Sequence, residues 1–149
     1  MHAASQIPRP ALVLGWLGVL PFAMFTLLAI TGSIMPQALA THALVLYGVV
    51  ILSFMAGAQW GLAMVSAQAA AIGPRLAISV LPALAAFGLW YLPATPALFG
   101  LAAVFLALLR YDIATSRAGM APAWYAALRI QLTSAVVVCL MLAALLGSR

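Results

Sequence analysis

Residues 10–74 read PALVLGWLGVLPFAMFTLLAITGSIMPQALATHALVLYGVVILSFMAGAQWGLAMVSAQAAAIGP, without one Asp, Glu, Lys or Arg. A helix crossing the hydrocarbon of a bilayer takes about 20 apolar residues. The stretch therefore holds two such helices and a turn. The turn is written in Thr31-Gly32-Ser33 and Pro36-Gln37, residue types that break helices rather than extend them. Two apolar helices with no soluble segment between them define a polytopic α-helical membrane protein.

The rest of the 149 residues continues this pattern. A second uncharged stretch runs between Arg75 and Arg110, interrupted by Pro93-Ala94-Thr95-Pro96, and a last one runs from about Trp124 to Leu146. The reading is all-α: a single transmembrane domain, 1–149, with helices at about 11–31, 41–66, 75–92, 95–112 and 124–146. A re-entrant hairpin over 76–109 would leave the charge pattern unchanged, but the length favours two full spans. Ala38-Leu39-Ala40 has the look of a signal-peptide cleavage site. The apolar stretch before it is longer than the 7–15 residues such peptides use, so it is read as a retained first helix.

Composition agrees. The chain is 68% hydrophobic and 5% charged, with a mean hydropathy of +1.24, whereas a soluble domain carries about 25% charged residues. Disorder requires the opposite balance. The formal charge of +5 comes from Arg residues scattered between apolar runs, with Asp112 as the sole acid. Such spacing makes no nucleic-acid patch. Arg9, Arg75, Arg110, Arg117 and Arg129 fall on one side of the predicted bundle and Arg149 on the other. The positive-inside rule then places the N-terminus in the cytoplasm and the C-terminus in the periplasm of a bacterial inner membrane, or the equivalent across a mitochondrial one.

Chemistry is sparse. One acid excludes paired-carboxylate catalysis, and a hydrolase triad fails because His42 and Asp112 belong to opposite ends of the bundle. Cys139 is alone, His2 lies in the tail, and His42 with Met35 makes a poor haem site; no metal and no cofactor is expected. Pro21 and Pro82 read as kinks within helices, and Trp90-Tyr91 and Trp124-Tyr125 as interfacial belts.

Helix 2 carries the most distinctive pattern. Ser53, Gly57 and Gly61 recur every fourth residue, a small-residue stripe that lets helices approach closely in lipid. Packing within the chain is the first expectation for it. Gln59 needs a partner, because an unsatisfied amide is costly in hydrocarbon; beside it, Trp60 is the aromatic to weigh as a contact. Asp112 is expected to pair with Arg110, Arg117 or Arg129, and Arg129 and Thr133 share a helix face. Gln59, Trp60, Asp112, Arg129 and Thr133 are thus the candidate partner or ligand contacts. A loop salt bridge with interfacial anchors is the plainer reading of the last three.

The run Tyr47-Gly48 through Leu52-Ser53-Phe54, then Gly57 and Trp60-Gly61, resembles a family of small inner-membrane proteins of proteobacteria and mitochondria. So does Trp124-Tyr125 with Leu128-Arg129 and Leu132-Thr133. The family is a domain of unknown function whose mitochondrial members are called transmembrane protein 69. Ala56 stands where the family usually has Gly, so helix 2 departs slightly. The resemblance implies an energy-transducing inner membrane and a five-span bundle; it implies no activity.

The functional expectation is a non-enzymatic accessory or assembly component packing against a larger membrane complex, such as a respiratory one, with the bilayer and a protein partner or second copy as its contacts. The alternative is a binder, carrier or sensor of a hydrophobic small molecule such as a quinone, lipid or tetrapyrrole, its pocket lined by Gln59, Trp60 and Arg129.

Overall fold

Proline and glycine set most of the helix ends. The computed structural model describes residues 6–66 and 72–147; His2 and Arg149 lie outside them. Helix α1 spans Arg9–Thr31 with Pro10 in its first turn, where a missing N–H costs nothing. It ends at Gly32, whose φ of 62° lets its N–H cap Leu28 O at 2.9 Å. Helix α2, Gln37–Ser66, starts directly after Pro36, whose carbonyl accepts from Leu39 and Ala40. Helices α3 (Ile72–Leu89), α4 (Ala94–Arg117) and α5 (Tyr125–Leu146) follow. All five are long and apolar enough to cross a membrane. The shortest, α3, has 18 residues, about 27 Å at 1.5 Å per residue.

The sequence reading ends helix 4 at Asp112, but α4 continues to Arg117. Charge did not stop the helix because Asp112 is fully partnered. The stop comes from Gly119 (φ 73°), beyond which Met120 N–H bonds back to Thr115 O at 3.1 Å. Helix α2 likewise begins at Gln37 rather than 41.

Polar contacts fix the order of packing. Gln37 Nε2 donates to Ile30 O (2.8 Å) and Tyr47 Oη to Gly18 O (2.9 Å), running α2 antiparallel to α1. Thr26 Oγ1 donates to Cys139 O at 3.1 Å, tying α1 to α5. Helix α4 lies along α2, and Gly48 permits their approach, since a Cβ there would come within 2.9 Å of Leu101 Cδ1. Helix α3 packs on α2 and α4 at the edge of the bundle. The core is apolar and centred on Phe22, Leu44, Leu52, Leu101, Phe105 and Leu140. Phe22 meets Tyr47 and Phe105 edge-on, with ring centroids 4.9 and 5.9 Å apart.

Candidate functional site

The end of the bundle where α2 and α4 finish and α5 begins gathers most of the buried polarity of the described residues. Asp112, on the inward face of α4, is 1% exposed. Its Oδ2 receives Arg129 Nε from α5 at 2.5 Å, and its Oδ1 receives Gln59 Nε2 from α2. Tyr125 Oη stands 3.4 Å from the same Oδ1. Three helices thus converge on one carboxylate. A buried charge is tolerated only when paired and hydrogen-bonded, and this one has both kinds of partner.

The pairing leaves part of the guanidinium over. Arg129 Nη1 donates to Met55 Sδ at 2.8 Å, but Nη2 has no partner among the described residues, although Arg129 is only 5% exposed. One turn along α5, Thr133 Oγ1 is also buried and unpartnered. A threonine in a helix commonly turns its hydroxyl onto a carbonyl one turn back, as Thr31, Thr41 and Thr115 do here. Thr133 does not.

Arg129 and Thr133 wall a cavity of about 180 Å³ between α1, α2, α4 and α5. Phe22, Phe105, Met55, Leu132 and Val136 supply much of its apolar wall; Leu132 fills the space in front of Gly15, while Gly18 leaves the α1 side open. A second cavity, about 350 Å³, lies on the other side of Gln59 between α2, α3 and α4, lined by Ser79, Pro82, Leu108 and Tyr111. Pro82 lacks the N–H that would have bonded Ile78 O, and Ser79 Oγ donates to Leu76 O at 2.7 Å beside it.

Of the residues singled out from sequence, Gln59, Asp112, Arg129 and Thr133 come together. Trp60 does not join them: it is 42% exposed and lines neither cavity. The stripe of Ser53, Gly57 and Gly61 corrects an expectation. It packs on no helix of this chain among the described residues; all three residues are exposed, and a Cβ on Gly57 or Gly61 would meet nothing within 4 Å. The faces of α2 that carry Leu52, Ala56, Gln59 and Ala63 turn inward instead. Met55 and the α1 wall were not anticipated. Met55 stands one turn before Gln59, a spacing that would have placed it on a neighbouring inward face.

The fold and this site define a multi-pass helical membrane protein with a buried ion pair. A family model described as Protein of unknown function (DUF3429) matches residues 7–145, and the chain belongs to that family. Over 64 residues it is 42% identical to Transmembrane protein 69 of Xenopus tropicalis, a match covering 42% of this chain and 24% of that protein. The similarity thus spans about a quarter of that relative's length. No solved structure matches the chain.

Proposed function

We propose that this protein is a non-enzymatic binder of a hydrophobic small molecule in an energy-transducing inner membrane, holding its ligand in the α1/α2/α4/α5 cavity. The observation that carries the reading is the pair of buried, unsatisfied groups on the cavity wall, Arg129 Nη2 and Thr133 Oγ1. Leaving a buried donor unmade costs about 1–3 kcal/mol, and a ligand acceptor removes that penalty. The protein is purified in mild detergent, and its lipid extract is compared by mass spectrometry with that of Val136→Phe, which fills the cavity. A small molecule enriched with the native chain and lost from the variant supports the reading. Identical extracts would sink it.

A second reading is favoured by the outward stripe of α2. Ser53, Gly57 and Gly61 offer a lipid-facing helix the close approach that drives association in membranes. On this reading the chain is an accessory component of a larger inner-membrane complex, and a native gel of membranes places it in that complex's band.

A further inference from the structure

We infer that the ligand of the α1/α2/α4/α5 cavity carries an uncharged carbonyl head on a single ring, with an apolar tail that leaves sideways into the bilayer. The inference rests on the binding role proposed above and specifies its chemistry.

Charge comes first. Arg129 is the one charged residue on the cavity wall, and its charge is already balanced by Asp112, the sole acid of the chain. A phosphate or carboxylate head would add a negative charge with no cation left to meet it, at a heavy desolvation cost. A carbonyl adds none. The hydrogen-bonding pattern agrees: Arg129 Nη2 can only donate and the Thr133 hydroxyl is free to, one turn apart on α5. A carbonyl oxygen, which only accepts, can take both hydrogens and leaves none to set against the wall of Phe22, Phe105 and Val136.

Size and shape narrow the head. An apolar cavity of about 150 Å³ takes one benzene, so about 180 Å³ admits a single substituted ring and excludes a tetrapyrrole. Phe22 and Phe105 supply aromatic faces and edges for it. At the rim, Leu14 of α1 and Phe54 of α2 are 69% and 67% exposed on the outer surface. A tail therefore passes between α1 and α2 beside Gly18, where a Cβ would meet nothing within 4 Å.

The test uses the full chain in nanodiscs of phosphatidylcholine, photolabelled with an azido-benzoquinone bearing a decyl tail. Decyl-benzoquinone, decyl phosphate and decylbenzene serve as competitors. The expected result is labelling on peptides that contain Gly15–Phe22 or Ile51–Met55, competed by decyl-benzoquinone and by neither of the others. Thr133→Val, which removes the hydroxyl and keeps the shape, weakens that competition about fivefold, the size of one hydrogen bond. Val136→Phe abolishes it, and a melting temperature no lower than that of the native chain shows that both variants fold. Stronger competition by decyl phosphate overturns the uncharged head while leaving the binding role standing. Equal competition by decylbenzene, or indifference to Thr133→Val, overturns the carbonyl contact alone. Labelling that does not saturate and ignores Val136→Phe overturns both the head group and the binding role.

Discussion

Asp112 and Arg129 stand 17 residues apart in sequence and 2.5 Å apart in the bundle, both almost wholly buried. Removing one partner from such a pair costs about 3–5 kcal/mol, because the other charge is left stranded. Arg129→Gln and Asp112→Asn should each lower stability by that order in a detergent unfolding titration. The double substitution restores much of the loss, since the amide oxygen introduced on α4 still accepts from Gln59 and no charge remains. A double variant as unstable as the sum of the singles would show that the two residues do not act as a pair.

The two glycine environments of α2 should respond oppositely to the same change. Gly48→Leu drives a side chain into Leu101 and should cost about 1–3 kcal/mol by overpacking. Gly57→Leu enters open space and should stay within about 0.5 kcal/mol. Thermal unfolding of the purified variants in one detergent compares them directly.

Lateral association through the stripe predicts a different readout for that same Gly57→Leu, and for Gly61→Leu. Both should abolish co-purification of a partner or second copy while leaving the melting temperature of the isolated chain unchanged. Undiminished co-purification removes this face from consideration.

The end of the bundle that carries Arg9, Arg75, Arg110 and Arg117 is proposed to be cytoplasmic. Alkaline phosphatase fused after Gly147 should then be active in bacterial cells, and the same enzyme fused after Gly119 inactive. The reverse pattern would invert the orientation.

The spans were legible because uncharged stretches and Pro/Gly punctuation survive in any membrane helix. The side each helix turns inward was not. In water an amphipathic stripe marks the buried face, but α2 is apolar all round, so Gly57 and Ala56 look alike in sequence although one faces lipid and the other the core. Polar residues carried the information that hydropathy lacked. Gln59, Asp112 and Arg129 each demanded a partner, and they meet one another. Two details needed the fold. Choosing among Arg110, Arg117 and Arg129 depended on α4 continuing past Asp112, which puts Arg110 and Arg117 on its exposed side. The cavity depends on α1, whose Gly15 and Gly18 matter only because of what stands across from them.

The Asp112–Arg129 pair also has a consequence for how the chain enters the bilayer during synthesis. α4 leaves the ribosome bearing a carboxylate whose counter-charge is still to be made, on the far side of the turn at Gly119. Gln59, already delivered with α2, offers a hydrogen bond but no charge. The cation that pairs with it in the folded bundle arrives with Arg129 in the first turns of α5. The pair therefore favours α4 and α5 entering the lipid together, as one hairpin that carries its own counter-ion.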